Sequence, residues 1–453
     1  MGEGKEGSDQ RGRRPHRRAS RRLHDHHRQW QGGLPPRRRA DRPVSGRQRR
    51  GHPRCPLSLS RARWRRGMTR YLVHPVDTLF FRDGRPFEQE DEGMADVRSL
   101  FPPWPSVVAG AFRAALARAM GWNGRGSWAD DPSMKQVLGD GPDDMGELRF
   151  GPPALLCRGR DGVFRRLYAV PRHVLLEDGA PFLLDPADAE PLRTDLGDVA
   201  LPKAREGVKE VEESRLGPSG LTRVLAGEAP AGDQLIEENK LFAHEYRVGL
   251  QRDPRTRTAV PGMLYAASHI RLGAATGPAD RKTGKVARMH RTLLGLEVES
   301  VPAEMQPESH GPLGGFQRPA AFEPCENDWQ EAKEPPEPPE DGRYIVYIAS
   351  PARFADLDWN RPGGSIPGLP GTIRFACTGR PVMIGGWDGR PKPHRGPRAL
   401  EPYVPTGSVF FLEGADGDEL AVRWKDRGQR ALGERTNLGF GRFLLGYWPR
   451  KEC

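Results

Sequence analysis

Four groups of residues in this 453-residue chain have the types and spacing to hold or cut a phosphodiester. Gly439, Gly441 and Gly446 make a G-x-G-x-x-x-x-G loop in NLGFGRFLLGYW, with Arg442 inside it. Glycine accepts positive φ and lets a backbone come close to a phosphate or base, so such a loop is able to present amide donors. Arg247, Arg252, Arg255 and Arg257 crowd into EYRVGLQRDPRTR. Guanidinium groups pair bidentately with phosphate and stack on unpaired bases. Ser106 opens an apolar-periodic run, where free helix amides attract anions, and Arg113 stands one face along. His74, His244, Tyr246 and His290 are the pieces available for metal-independent general acid–base cleavage. Each group also has a plain reading: a turn before the last strand, a solvated arginine turn, an ordinary capped core helix with a surface ion pair, and strand histidines that pack or face water.

Other chemistries are excluded by spacing. Gly385-Gly386-Trp387-Asp388 holds one carboxylate, whereas two-metal catalysis needs paired acids. TGPADRKTGKV lacks the spacing and the hydroxyl of a phosphate-binding P-loop, and the 439–446 loop has the wrong third glycine for a dinucleotide fingerprint. Cys55, Cys157, Cys325, Cys377 and Cys453 lie far apart, so no zinc site and a reduced, cytoplasmic protein are expected. No cofactor and no metal are expected. No window reaches roughly 18 uninterrupted apolar residues, which argues against a membrane span.

These groups need elements to hold them. Residues 71–87 read as strand, tight turn at Asp83-Gly84, and strand. Prolines 102, 103 and 105 then end an extended approach to a helix over 106–120, capped by Ser106, with Val108, Phe112, Leu116 and Met120 on one face and Gly121 at its close. Residues 244–272 read as a hairpin turning at Arg252-Asp253-Pro254, and RKTGKVARMHR (281–291) adds a second basic run. KAREGVKEVEESR (203–215) has the mixed charge of a solvated surface. EAKEPPEPPEDG (331–342) reads as an acidic, proline-rich linker or loop insertion. Apolar runs at 344–349, 372–377, 381–387 and 408–414, a short helix within 419–432 and a closing strand at 443–448 point to a second sheet. The irregular mixture favours α+β over a regular parallel series.

The net charge of +11 is misleading. Residues 1–67 hold 20 Arg and 1 Lys against 5 acidic residues, so the remaining 386 carry about −5. With almost no aliphatic periodicity, this tail is expected to be disordered. It reads either as a basic RNA-attracting arm or as an extension upstream of the true start. Any metal bound by His24, His26 and His27 there would be adventitious.

FFRDGRPF with SLFPPWPSVVAGAFRAAL, then EYRVGLQRDPRTRTAVPGMLYAASHIRL, GRPVMIGGWDGRPKP and NLGFGRFLLGYW, resemble in order the CRISPR-associated RAMP protein that is the third subunit of the type III-B Cmr effector complex. The resemblance begins at Met68. It implies two ferredoxin-like (RRM-like) domains with long loop insertions, here divided as 68–240 and 241–453. It implies a non-catalytic subunit that holds the repeat-derived 5′ handle of the CRISPR RNA and links the backbone subunit to the large polymerase-like subunit. Ser106, Arg113, the four hairpin arginines, Gly439, Gly441, Arg442 and Gly446 are the residues expected to contact RNA. A RAMP-type endoribonuclease, a protein-only scaffold and the equivalent type III-A Csm subunit stay open as alternatives.

Overall fold

Apolar positions alternate along MTRYLVHP (68–75), and the strand they form buries Tyr71 and Val73 completely. The computed structural model describes residues 67–82, 95–186, 189–194, 197–202, 207–272, 291–308, 310–356, 363–390, 392–426 and 430–449. The Asp83-Gly84 turn, His290 and nearly all of the 281–291 run lie outside the described residues, as does the tail through residue 66. In chain order the main elements are β1 (Met68–Pro75), α1 (Pro105–Ala119), α2 (Pro132–Leu138), β2 (Ala154–Arg158), β3 (Phe164–Ala169) and α3 (Pro218–Leu225). They continue with β4 (Phe242–Arg252), β5 (Ala259–Leu272), β6 (Arg291–Glu299), β7 (Pro319–Pro324), β8 (Tyr344–Ile348), β9 (Thr372–Cys377), β10 (Val409–Glu413), α4 (Gly417–Lys425) and β11 (Phe443–Tyr447). The architecture is α+β, as expected.

β1 lies between β6 and β7, with Tyr71 opposite Leu296 and Val73 opposite Phe322. β6 pairs onward with β2, which pairs with β3, and every one of these pairings is antiparallel. α1 covers this sheet. Val108, Phe112 and Leu116 are fully buried, and the Phe112 ring meets Tyr71, Phe322 and Phe150 edge-on at 4.9, 5.3 and 5.9 Å. Truncating such a ring costs about 3–5 kcal/mol. Ser106 does not cap the helix. Trp104 is the N-cap residue, without a side-chain bond, and Pro105 takes the first helical position, where its fixed φ suits and its missing N–H is harmless.

In the second sheet the order is β9-β10-β8-β11, again antiparallel throughout. All five residues of β8, YIVYI, are buried. One face packs Tyr344, Val346 and Ile348 with Leu420 and Trp424 of α4; the other packs Ile345 and Tyr347 with Leu221, Val224 and Leu225 of α3. Two-sided burial explains a continuous apolar run instead of an alternating one. α4 begins where the Asp416 carboxylate accepts the amides of Asp418 and Glu419 at 3.0 and 3.1 Å, two residues before the expected window, and it ends at Lys425 within it.

With β3, which lies beyond β2, set aside, the strands β7-β1-β6-β2 and β11-β8-β10-β9 both read 4-1-3-2 in chain order. The first sheet has a helix after its first strand, the second a helix before its last. The sheets part between Pro324 and Tyr344, because β6 and β7 complete the first one. A division at 240/241 therefore cuts through a sheet, and all described residues lie in one compact unit.

Residues 331–342 form neither helix nor strand, yet they are not a solvated linker. Glu331 pairs with buried Arg166 at 2.9 Å, the amide of Lys333 donates to Thr222 Oγ1 at 2.9 Å, and Trp424 Nε1 donates to the Pro335 carbonyl at 2.8 Å. The Glu334 carboxylate, buried beside Arg430 at 3.3 Å, also accepts the Leu445 amide at 2.7 Å. The segment is a strap fastened to the second sheet.

Candidate nucleic-acid interface

β4 and β5 pair from Phe242↔Leu272 to Leu250↔Leu264, and the register shifts once before the turn. Asp253 builds that turn: its carboxylate accepts the amides of Arg255 and Thr256 at 2.7 and 3.3 Å, and its carbonyl accepts that of Arg257 at 2.8 Å. Arg257 sits in the left-handed region at φ 60. Arg252 turns inward, donating through Nε and Nη2 to the Arg257 carbonyl at 3.2 and 3.1 Å. Arg255 and Arg257 point into solvent, and their guanidiniums make no hydrogen bond or ion pair among the described residues.

Arg247 lies lower on the hairpin and is engaged. It grips Asp77 with two bonds of 3.0 Å and Glu245 at 2.8 Å, while Arg318 reaches the same Asp77 at 3.1 Å. The Arg247 bond, helped by the Thr78 amide, pulls the Asp77 carboxyl down to about 2. The two hairpin faces differ. One exposes Tyr246, Val248, Leu250 and Leu264 at 63, 63, 51 and 48%. The other carries Arg247, Gly249, Tyr265 and His269, and Phe316 from the 314–317 turn stacks beside the last two. Sequence reasoning missed this aromatic set; the only signal was GGFQRP, a glycine pair ahead of an exposed aromatic.

Arg113 is not at a surface. It is 4% exposed, donates to the carbonyls of Gly141 and Asp144 at 2.8 and 2.9 Å, and lies 5.1 Å from the Trp128 ring. Burial lowers its pKa to about 10, with Asp144 and Asp140 opposing. It holds the 139–146 loop and is closed to a phosphate. Trp104 and Pro105, next to Ser106, border a cleft of about 1170 Å³ between the two sheets. Four arginines and four glutamates line it, with Arg215 on Glu238 at 2.7 Å and Arg172 near Glu210 at 3.6 Å. A charge-balanced, paired wall gives no attraction for a polyanion.

The glycine loop is buried as well. Gly439 (φ 92) and Gly441 (φ 74) use the conformation only glycine adopts freely. A Cβ on Gly439 would lie 2.6 Å from Gly151, one on Gly441 would strike the Leu432 carbonyl, and one on Gly446 would lie 2.6 Å from the Leu225 carbonyl. The Gly439 and Gly441 amides donate to Thr436 and Pro351 at 3.0 and 2.8 Å. The Arg442 amide donates to Ser350 Oγ at 2.8 Å, and its half-buried side chain lies near Tyr168 and Glu331. The loop therefore joins helix, strand and neighbouring sheet and offers no amide to RNA.

Two of the described acid–base candidates are already bonded within the fold. His74 pairs with Glu323 at 3.0 Å, and His244 shares a hydrogen bond of 3.0 Å with Ser268. Among the described residues no group of three or more His, Cys, Asp or Glu could hold a metal ion. No described helix is long and apolar enough to cross a membrane.

The hairpin ends in a tip whose Arg255 and Arg257 guanidiniums are exposed and have no partner among the described residues. Residues 71–448 match the family model described as CRISPR-associated protein (Cas_Cmr3). The chain belongs to that family, the one to which its four ordered sequence blocks pointed. Among solved structures it is similar to a chain of the type III-B Cmr-beta complex bound to cognate target RNA and AMPPnP, at 16% identity and TM-score 0.39, covering 76% of this chain and 86% of that one. A chain of the same complex with cognate target RNA gives 15% and 0.39 over the same shares, and one of its apo state 12% and 0.25 over 57% and 98%. No curated protein sequence matches.

Proposed function

We propose that this chain is the non-catalytic CRISPR RNA-binding subunit of a type III-B Cmr complex in the cytoplasm, holding the 5′ handle of the guide. The observation that carries this reading is the locked hairpin whose tip presents Arg255 and Arg257 without internal partners, in a chain of the Cas_Cmr3 family. Phosphate is the natural partner of such groups. The common 4-1-3-2 strand order supports reading each sheet as a ferredoxin-like unit that has kept one of two helices. The apolar hairpin face of Tyr246, Val248, Leu250 and Leu264 supports the linking role, since exposed apolar surface of this kind marks protein contact.

Photo-crosslinking of guide RNA in the assembled complex tests the reading. The handle should crosslink to the hairpin. Crosslinks confined to other subunits would overturn it. His244→Ala and Tyr246→Phe should leave RNA cleavage by the complex unchanged, and a drop in product with intact assembly would favour a nuclease.

A further inference from the structure

Beside the hairpin, on the face away from the apolar patch, four rings form a ladder. Phe316 lies nearly parallel to both Tyr265 (6.2 Å between centroids, 10° between planes) and His269 (5.7 Å, 14°), and Phe80 lies tilted against it at 4.9 Å. Phe316 is nonetheless 54% exposed. Its backbone is left-handed at φ 55, as is that of Gln317 at φ 49, a conformation that strains a non-glycine residue.

The surroundings are shaped to keep the ring in place. Gly314 has φ 75, and a Cβ there would strike the Phe80 carbonyl; a Cβ on Gly315 would lie 2.6 Å from the Phe80 ring, and one on Gly249 would strike the Tyr265 ring. Thr78 Oγ1 and His269 Nδ1 share a hydrogen bond of 3.1 Å that sets the imidazole plane. Burial lowers the His269 pKa, reinforced by Arg318 and Arg247 and opposed by Glu245 and Asp77.

We propose that the Phe316 ladder is the seat for one unpaired nucleobase of single-stranded RNA. This rests on the RNA-binding reading above and adds where a base is held. Parallel aromatic rings with guanidiniums beside them are the combination that holds unpaired bases. A protein partner fits worse: charged Asp77, Glu245, Arg247, Arg271 and Arg318 crowd this face, while the apolar patch is on the other.

The full chain is titrated with short single-stranded RNAs carrying 2-aminopurine at successive positions, over a salt series. One position should be quenched in the wild type. Phe316→Ala should abolish that quenching and weaken binding about 5- to 100-fold at every salt concentration with the salt slope unchanged, since stacking is worth about 1–3 kcal/mol per base. Phe316→Trp should restore both. The exposed ring is removable without unfolding, which matching thermal melts of the variants verify. Unchanged quenching and affinity in Phe316→Ala, while the Arg252/Arg255/Arg257 triple alanine variant weakens binding, would overturn the ladder and leave the RNA reading standing. No RNA binding by the wild type, alone or assembled, would overturn that reading. If Phe316→Ala instead abolishes association with the other protein subunits in RNA-free preparations, the ladder is a protein interface and the proposal is wrong.

Discussion

The hairpin tip and the glycine loop both use positive φ beside residues able to meet a phosphate, and the fold separates them. At the tip, the positive φ of Arg257 makes a turn that throws two guanidiniums into water. In the loop, the positive φ of Gly439 and Gly441 lets one layer of backbone touch another, and their amides are bonded inside. The same dihedral freedom serves presentation in one place and packing in the other. Surroundings decide which, because an amide or a cation binds a ligand only where nothing in the protein already satisfies it.

The comparison breaks most visibly at Gly441→Val. A Cβ meeting the Leu432 carbonyl at a left-handed position should cost about 4 kcal/mol or more, read as a large fall in the urea midpoint. A variant that unfolds like the wild type and loses only handle discrimination would return the loop to the RNA site. Glu334→Ala comes next. Removing the carboxylate beside buried Arg430 should destabilise by about 3–5 kcal/mol, and a change under about 1 kcal/mol would show the strap to be an ordinary surface loop.

His173 sharpens the comparison on the packed side. It is buried edge-on to Phe411 at 5.5 Å, and desolvation lowers its pKa from 6.5 to about 3. The unfolded chain takes up this proton below pH 6.5 and the folded one does not, so stability is whole above 6.5 and falls toward pH 3, by up to about 1.4 kcal/mol per pH unit. His173→Leu should remove this share of the acid limb in denaturant midpoints measured across pH, and an unaltered limb would refute it. The smallest effect on the fold belongs to the tip. Arg252, Arg255 and Arg257 replaced together by Ala should shift stability by no more than about 1.5 kcal/mol, yet weaken handle binding in the assembled complex and flatten its log–log salt slope by up to about 2. An unchanged slope would move the phosphate contacts elsewhere.

Much of the scaffold was legible because its signals are local. Val108, Phe112 and Leu116 announce α1 by period, Asp253-Pro254 announces the hairpin turn, and YIVYI announces a buried strand. Ser106 misled because an N-cap is a backbone position, and Pro105 claims the first turn one residue earlier. Arg113 misled because an arginine in an amphipathic helix reads as surface, while here the facing 139–146 loop supplies carbonyls for it. The 331–342 strap misled because its glutamates find partners, Arg166 and Arg430, about a hundred or more residues away in sequence.

By itself, the sequence determined the class of fold, the family and the local elements, since period, turn chemistry and the order of four motifs act within short windows. Only the tertiary structure decided that β6 and β7 complete the first sheet, that the glycine loop faces inward, and that Phe316 meets Tyr265 and His269. Those outcomes depend on which distant residues arrive beside one another, and whether a polar group is satisfied or left for a ligand is settled only when they do.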